Sequence, residues 1–327
     1  MKVGKVSESV LKRSILKQIK TRREEIKNGA GVGEDCAIFA LSGHGVLGCA
    51  SAACISWDAS AASRAVVKCA NNLAAGFMEP MGVMLTLLLP EESEEADLRA
   101  LMSEAESACS RLNIQIAGGH TEVSAAIKTP VITVSGFGKA FCRDENGPTG
   151  ITPGQDIVIS KWIGLEGTSI IAARDRESLL QRYPASLVEE AACFDRYLSI
   201  VPEAAVAVKS GVCAMHDVSG GGINAALWEL AESAGVGLSI DLKKLPIRQE
   251  TVEVCEHCGV NPYELLSGGC LLMISQDGPG LVRALEAAHI PAVMAGKITK
   301  GHDRIVCNED EVRYLDRPRT DEIYKMI

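Results

Sequence analysis

Several polar side chains stand beside glycines, or in short turns, at points where apolar runs of the sequence end. They are, in chain order, Asp35 with Gly31 and Gly33, then Asp58, then His120 and Glu122 with Gly118 and Gly119, and finally Asp217 with Gly220, Gly221 and Gly222. In layered sheets, ligands collect at the loops beyond the strand ends. We therefore expect these loops to meet in a single cleft.

This mixture of acidic and glycine-rich loops is typical of a magnesium–nucleotide site. Glycines let the backbone approach a ligand and expose N–H groups to it, and the N-terminus of the helix predicted after Gly222 favours a phosphate. Two unit charges about 4 Å apart repel by roughly 4 kcal/mol at an effective dielectric near 20. Mg²⁺ removes this repulsion because it takes oxygen ligands from carboxylate and phosphate together.

Each loop also has a simpler explanation. Asp58 and Asp217 both suit the capping of a following helix, Asp35 suits an ordinary turn, and His120 suits a hydrogen-bonded histidine of the core. The sequence contains no Walker A motif and no well-placed G-x-G-x-x-G. The occurrence of all these loops in one order, rather than any single loop, supports the nucleotide site.

Hydrophobic periodicity predicts an α/β fold around these loops. A charged amphipathic helix is predicted over 7–27 and a hairpin over 39–55. Further helices are predicted over 61–77 and 94–112, and strands over 83–89, 114–117 and 131–137. Turn-forming residues at 146–154 mark a break, after which strands and helices alternate. The sequence therefore predicts two domains, residues 1–147 and residues 148–327.

Composition argues against nucleic acid and membranes as partners. The 327 residues carry a net charge of −9 and only 4% are aromatic, which does not suit a nucleic-acid surface. The longest apolar run, Met81 to Leu89, is too short to span a bilayer. Twelve scattered cysteines and no visible signal peptide predict a cytoplasmic protein with reduced thiols. Cys255 and Cys258 are better explained as buried hydrophobes than as metal or redox ligands.

The loops fall within segments that resemble the aminoimidazole-ribonucleotide (AIR) synthase, or PurM-like, superfamily. The matching segments are Gly31-Val-Gly-Glu-Asp-Cys-Ala-Ile38, Ala70-Asn-Asn-Leu-Ala-Ala75, Ala117-Gly-Gly-His-Thr-Glu-Val123, Gly164-Leu-Glu-Gly-Thr168 and Met215-His-Asp-Val-Ser-Gly-Gly-Gly222. The segment from Gly259 to Gly269 resembles the HypE-like branch, as do the third and fourth segments. The resemblance spans nearly the whole chain.

This resemblance implies a PurM-like fold of class α/β (α+β) with two domains. The N-terminal sheet would pair with that of a second subunit into a barrel-like homodimer core, beside a C-terminal α/β sandwich. ATP and Mg²⁺ would occupy the cleft, with Asp35, Asp58 and Asn72 at the metal and Asp217 with its glycines at the nucleotide. Lys161 is a candidate phosphate contact by position, although a solvated lysine explains it equally well.

The chain also departs from the family pattern. Members usually carry Asp at the position of Asn72 and a Gly-Ala turn at the position of Phe77-Met78. An amide oxygen still binds Mg²⁺ but brings no charge, so metal affinity should fall. His120 replaces an acid of the kinase branch, and His is a poor Mg²⁺ ligand. HypE ends in a tail with a terminal Cys, whereas this sequence ends in Glu322-Ile-Tyr-Lys-Met-Ile327.

Two functions are consistent with this pattern. The first is ATP-dependent phosphoryl transfer to an unidentified small acceptor, with His120 as general base, assisted by Glu122, if its pKa is near neutrality. The second is a degenerate HypE-like protein that binds nucleotide or a partner protein without efficient catalysis. Asn72, Phe77-Met78 and the C-terminal sequence favour the second function, whereas the ordered acidic and glycine-rich loops favour the first.

Overall fold

Two β-sheets, each with its own helices, organise the chain. The computed structural model describes residues 8–19, 24–41, 45–141 and 150–326. The N-terminal unit contains described residues 24–29, 35–41 and 45–141, and the C-terminal unit contains residues 8–19, 30–34 and 150–326. The mixed α/β architecture with two sheets confirms the predicted fold class. The predicted domain boundary, between residues 147 and 148, lies outside the described residues.

The sheet of the N-terminal unit has the strand order β1-β2-β3-β6-β4-β5. Its strands are β1 (Ile26–Asn28), β2 (Ala37–Leu41), β3 (Gly45–Ile55), β4 (Met78–Leu89), β5 (Gln115–Val123) and β6 (Val131–Ala140). Neighbouring strands are antiparallel except β4 and β5, which are parallel. Parallel neighbours require a crossover connection, and helix α3 (Glu95–Leu112) provides it.

Helix α2 (Ser60–Ala75) packs on one face of this sheet and leaves the other face open. The helix is rich in alanine, and small side chains allow it to lie close to the strands. Gly136 of β6 faces this helix, because a Cβ atom there would lie 2.6 Å from the Sγ atom of Cys69. Strand alternation then directs Ile55 and Met84 to the opposite face, where they are 68% and 45% exposed.

Strand β5 is longer than the sequence predicted. The predicted strand ended at residue 117 and was followed by a loop, but β5 continues to Val123 and includes the whole Gly118-Gly119-His120-Thr121-Glu122 segment. Gly119 is required here for close strand pairing, since a Cβ atom would lie 1.9 Å from the carbonyl oxygen of Leu85. The two glycines therefore belong to the strand and do not form a turn.

The sheet of the C-terminal unit has the order β13-β12-β9-β11-β7-β10-β8. Its strands are β7 (Asp156–Ser160), β8 (Ala214–Val218), β9 (Gly237–Asp241), β10 (Cys270–Ser275), β11 (Ala292–Thr299), β12 (Arg304–Asn308) and β13 (Glu311–Tyr314). All neighbours are antiparallel except β12 and β9. The central strands β7 and β10 are buried at every residue, which explains their continuous apolar sequences.

Helices pack on this sheet and around it. They are α4 (Leu165–Arg174), α5 (Arg176–Leu180), α6 (Ala185–Ala192), α7 (Val201–Lys209), α8 (Gly222–Ala234), α9 (Gln249–Cys258) and α10 (Gly278–Ala287). Helix α8 buries Ile223, Leu227 and Leu230 against strands of the sheet in one core cluster. A second cluster joins α4, α6 and α9, so these three helices form a layer with its own apolar contacts.

The predicted helix over 7–27 is only partly present. Among the described residues, α1 (Glu8–Val10) continues as a π turn over Leu11–Ile15 and a 3₁₀ turn over Leu16–Gln18. Residues 20–23 lie outside the described residues, and β1 occupies 26–28. The prediction was therefore wrong at its C-terminal end, where a strand replaces the helix.

Charged contacts hold this N-terminal segment, residues 8–18, on helix α8 of the C-terminal unit. Lys12 Nζ lies 2.6 Å from a Glu8 carboxylate oxygen and 2.7 Å from one of Glu232. Arg304 binds the other oxygen of Glu232 at 2.7 Å, and its guanidinium stacks 3.8 Å above the ring of Trp228. Trp228 in turn donates its indole N–H to Glu8. Glu232 therefore joins the segment to the sheet through two cations.

The position of Glu232 predicts a pH dependence for the N-terminal segment. Hydrogen bonds from Lys12 and Arg304 lower the pKa of Glu232 to about 2. A lowered carboxyl pKa adds stability above the ordinary value of 4.5, and that stability is lost as the pH falls towards 2. At neutral pH, Glu232→Gln should therefore speed hydrogen exchange of residues 8–18, and the exposed-pair control Glu309→Gln should not. The difference in melting temperature between wild type and Glu232→Gln should also shrink as the pH falls through this range; a constant difference would contradict the assignment.

Candidate functional site

The acidic loop at 30–34 packs against helix α8. Gly33 has φ +74°, and a Cβ atom at this position would lie 2.8 Å from the carbonyl oxygen of Glu229. Gly33 is thus required for a close backbone approach to the helix. Gly31 faces its own loop, because a Cβ there would meet the side chain of Glu34 at 2.7 Å. The two glycines therefore shape the loop itself, and their predicted contact with phosphate stays a prediction.

Asp35 begins the part of the loop that belongs to the N-terminal unit. Its neighbour Cys36 is buried and contacts the end of α2, where the Sγ atom lies 3.9 Å from the carbonyl oxygen of Gly76. Gly76 also bonds through its N–H to the carbonyl of Asn72. A side chain at Gly76 would collide with Cys36, since its Cβ would lie 2.0 Å from the sulfur. The structure therefore brings the Asp35 loop to the end of α2 that carries Asn72.

The turn after α2 contains backbone strain. Phe77 has φ +64°, a left-handed conformation that costs a non-glycine residue roughly 1–2 kcal/mol. Its N–H donates to the carbonyl of Ala74, and its carbonyl accepts from the N–H of Phe141. Phe77 stands where the family resemblance places a Gly-Ala turn, so in this chain a phenylalanine adopts the left-handed conformation. Strain of this kind concentrates at functional sites.

Asp58 lies at the other end of α2 and is already bonded to its neighbours. Its carboxylate accepts from the backbone N–H of Ser60 at 3.0 Å and from Arg64 at 2.9 Å. Burial acts to raise the pKa of Asp58, but the hydrogen bonds from Ser60 and Arg64 outweigh it and lower that pKa. The capping explanation of Asp58 therefore describes its contacts in this structure.

Asp58 and Asn72 cannot bind the same ion within one chain. Ser60 begins α2, and Asn72 lies about 18 Å further along the same helix. Ligands of one Mg²⁺ ion lie about 2.1 Å from it, so a shared ion would require both side chains to span this distance. The predicted grouping of Asp35, Asp58 and Asn72 is corrected on this point: Asn72 is near the Asp35 loop, and Asp58 is not near Asn72.

His120 and Glu122 lie on the open face of the N-terminal sheet. They pair with Thr86 and Leu88 of β4, and the Nε2 atom of His120 is 3.1 Å from a carboxylate oxygen of Glu122. Both side chains are more than half exposed, so the explanation of His120 as a core histidine is wrong. Helix α2 covers the opposite face, which separates this pair from Asn72 within the chain.

The glycine turn of the C-terminal unit uses its N–H groups internally. Gly222 donates to the carbonyl of Ser219, Asn224 donates to the carbonyl of Tyr263, and Gly221 donates to the carboxylate of Asp321 at 2.5 Å. The predicted phosphate position at the start of α8 is therefore held, at Gly221, by a carboxylate of the chain itself. Asp217 is buried within β8, two residues before this turn, which begins at Ser219.

Lys161 is bonded inside the C-terminal unit. Its ammonium donates to the carbonyl oxygens of Tyr197 and Ser199 at 2.7 and 2.6 Å and pairs with Glu203 at 2.5 Å. Lys161 and Glu203 are both buried. An ammonium group has three donors, and these three contacts account for them. Neither the solvated lysine nor a free phosphate contact matches this arrangement.

Sequence reasoning missed three residues of these networks. Arg64 follows Asp58 by six positions, Glu203 lies in the first turn of α7, and Asp321 caps the short 3₁₀ turn over Glu322–Lys325. Asp321 alone had a local signal, an acid immediately before a short helical stretch. The partners of Arg64 and Glu203 depend on tertiary contacts, so no spacing in the sequence identifies them.

The cysteines and acids of the described residues do not form a multi-ligand metal site. No group of three or more His, Cys, Asp or Glu side chains arranged to hold a metal ion occurs in this part of the chain. Cys255 is buried, which raises the pKa of its thiol to about 12. Burial also raises the pKa of Cys258.

No helix within the described ranges has the length and apolar character needed to cross a bilayer.

Two family models match the chain on either side of the segment at 142–149. The model of the AIR synthase related protein, N-terminal domain, matches residues 33–140. The model of the AIR synthase related protein, C-terminal domain, matches residues 152–308. The matches follow the order of the two sheets, and together they cover most of the chain.

Similar curated proteins include HypE and a protein named for hydrogenase expression and formation. Carbamoyl dehydratase HypE of Rhodobacter capsulatus is 29% identical over 211 residues, which are 64% of this chain and 60% of that protein. A protein of Methanocaldococcus jannaschii named "putative hydrogenase expression/formation protein" is 25% identical over 324 residues, which are 93% of this chain and 90% of that protein. The chain thus spans about three fifths of the first relative and nearly all of the second.

Solved structures share the fold. HypE in a HypE–HypF complex matches with a TM-score of 0.75 at 19% identity, covering 94% of this chain and 99% of that chain. HypE in complex with ATP matches with a TM-score of 0.73 at 18% identity, covering 98% and 97%. With both family models matched in order and the same two-domain fold, the chain belongs to the AIR synthase-related, PurM-like proteins and is related to HypE.

Proposed function

We propose that this chain binds Mg-ATP and transfers its phosphoryl group to a small acceptor. The observation that carries the proposal is the anchoring of the Asp35 loop at the Asn72 end of α2 through Cys36 and Gly76. The likeness of the fold to HypE in complex with ATP supports it. Phosphoryl transfer needs positioning and charge neutralisation more than covalent chemistry by the protein, and an acid beside an amide oxygen supplies part of both.

The residues at this end of α2 would bind Mg²⁺ together with the phosphates of ATP. Mg²⁺ is usually held by one or two carboxylates, with water and substrate phosphates completing its coordination. Asp35 would supply the carboxylate and Asn72 a neutral oxygen, and the ion would neutralise the phosphates of ATP. Such a pair would hold the ion weakly without nucleotide, because it offers a single carboxylate.

His120 is the proposed general base for the acceptor; because the sheet separates it from Asn72 within one chain, this role requires the second copy of the chain proposed below. Its contact with Glu122 at 3.1 Å orients the ring, and a carboxylate partner stabilises the protonated imidazole that proton transfer would produce. Glu122 would thereby act on the reaction through His120. Pairing with β4 keeps this part of β5 extended, which presents both side chains on one face.

Substitution of Asp35 tests the metal role. Asp35→Asn should weaken Mg-ATP binding by at least about tenfold, or ~1.4 kcal/mol, because it removes the carboxylate ligand and leaves the shape of the residue. Calorimetric titration with ATP at saturating Mg²⁺ measures this loss. Glu34→Gln is the matched control, since it removes the exposed acid beside Asp35. Equal affinities of wild type and Asp35→Asn would remove the assigned role of Asp35.

A nucleotide-binding or partner-binding protein without efficient catalysis is the second candidate. Specific observations favour it: Asp58 is bonded to Arg64, Lys161 is bonded to Glu203, and Gly221 is bonded to Asp321. Three predicted ligand contacts are thus used within the protein. Calorimetry followed by a prolonged ATP hydrolysis assay distinguishes the candidates, because tight binding without turnover belongs to the second. The HypE–HypF complex supports a partner protein as its ligand.

We also propose that the open face of the N-terminal sheet pairs with a second copy of the chain. The face carries apolar Ile55 and Met84 around small Ser51, Ala53 and Ser135, all of which are exposed. Small side chains at the centre allow two sheets to approach closely, and apolar exposure of this extent is typical of an interface. A two-fold contact would use the same surface on both copies.

A charge on the open face tests the dimer. Met84→Glu should convert the protein from dimer to monomer in light scattering, because pairing would bury two carboxylates opposite each other. Val312→Glu is the control, since Val312 is an exposed apolar residue on β13 of the other unit. A wild-type monomer, or a Met84→Glu dimer, would contradict the proposal.

A further inference from the structure

Asp321 connects two glycine-containing turns of the C-terminal unit. Its side chain is buried, with 7% of the residue exposed. One carboxylate oxygen accepts from Gly221 N–H at 2.5 Å, and the other accepts from Leu266 N–H at 3.2 Å and Ile323 N–H at 2.8 Å. Ile323 belongs to the terminal 3₁₀ turn. One carboxylate thus holds amides from three separate segments.

The amides that Asp321 bonds belong to two turns that also contact each other. The first turn, Ser219–Gly222, begins helix α8, and the second, Leu265–Gly269, precedes β10. Ser267 N–H donates to the carbonyl of Ser219. A Cβ atom at Gly222 would lie 2.5 Å from the carbonyl oxygen of Tyr263. The two turns therefore adopt one joint conformation.

The same contacts extend to the Gly164-Leu-Glu-Gly167 segment at the start of α4. Gly164 donates its N–H to Ser267 Oγ at 2.7 Å, and Gly167 donates to the carbonyl of Leu266 at 2.8 Å. Leu266 is thus bonded through its N–H to Asp321 and through its carbonyl to Gly167. A displacement of Leu266 would be transmitted to both segments.

We infer that Asp321 is a positioning residue for the nucleotide contact predicted at the glycine turn before α8, an inference that rests on the proposed function. Consecutive glycines have a wide choice of backbone conformations, so the turn at 219–222 needs an external constraint to present one shape. The carboxylate of Asp321 supplies it, and its charge is favourable at the positive N-terminal end of α8. Asp321 would act through the shape of the turns, without contacting phosphate itself.

This role differs from that of a carboxylate that occupies the phosphate position and is displaced when nucleotide binds. A displaceable carboxylate would be exposed and held through few contacts, whereas Asp321 is buried and holds three N–H groups. Removing it would leave the amides of Gly221 and Leu266 without this acceptor. The positioning role thus predicts weaker nucleotide binding when Asp321 is changed, and the displacement role predicts tighter binding.

The test compares Asp321→Asn with Glu322→Gln. Glu322 is the adjacent buried acid, and it accepts from Asn261 N–H at 3.0 Å without contacting the glycine turn. Mg-ATP affinity of the full chain should fall about tenfold in Asp321→Asn and stay within twofold in Glu322→Gln, measured below the melting temperature of each variant. In glycine-selective ¹⁵N spectra, the Gly221 amide signal should shift only in Asp321→Asn.

Two measurements keep the inference separate from folding and from the proposed function. Asp321→Ser keeps a side-chain oxygen that can cap the terminal 3₁₀ turn. The serine side chain is too short to accept from the Gly221 N–H as well. This variant should therefore fold and show the same loss of Mg-ATP affinity as Asp321→Asn. Wild-type affinity in Asp321→Asn and Asp321→Ser, or tighter binding, would overturn the inference. Absence of Mg-ATP binding by wild type would refute the proposed function. In that case, an unshifted Gly221 signal in Asp321→Asn would overturn the positioning contact as well.

Discussion

The close approach of helix α8 to the Tyr263–Leu265 backbone is the constraint on which the C-terminal unit depends. The position of Gly222 leaves no room for a side chain, because a Cβ atom would lie 2.5 Å from the carbonyl oxygen of Tyr263 and 2.9 Å from that of Leu265. The helix can therefore start only from a glycine at this point. The start of the helix sets the direction in which Leu227 and Leu230 point towards the sheet. The later turns of the helix contact the N-terminal segment and the acidic loop.

Helix α8 thus connects features that are distant in the sequence. Its first residues are held by Asp321, its Glu229 carbonyl receives Gly33, and its Glu232 binds Lys12. The chain reaches this helix from residues near both ends, so the glycine turn and the acidic loop are positioned by one element. This arrangement explains why residues 30–34 belong to the C-terminal unit although the loop continues into β2 of the N-terminal unit.

The sequence was sufficient to predict the fold class and the order of most elements, because long apolar runs and helical periodicity are local properties. Helix α3 was predicted from its periodicity, and the family was recognised from the segments around Asp35 and Asp217. The length of β5 could not be predicted, since the Gly118-Gly119 pair has the composition of a turn and is held extended only by its pairing with β4. The partners of Asp58 and Lys161 were also missed, because Arg64 and Glu203 reach them through tertiary contacts.

Two positions where the chain departs from the family pattern, Asn72 and Phe77, lie together. Asn72 lies one turn before Gly76, and Phe77 follows immediately in a left-handed conformation. Gly76 in turn accommodates Cys36, the neighbour of Asp35. Asn72 and a strained turn therefore stand near the loop of Asp35, the acid that we propose for the metal. Because the strain costs stability and a simple packing role would not require it, its position next to the Asp35 loop supports the proposal that this end of α2 binds a ligand.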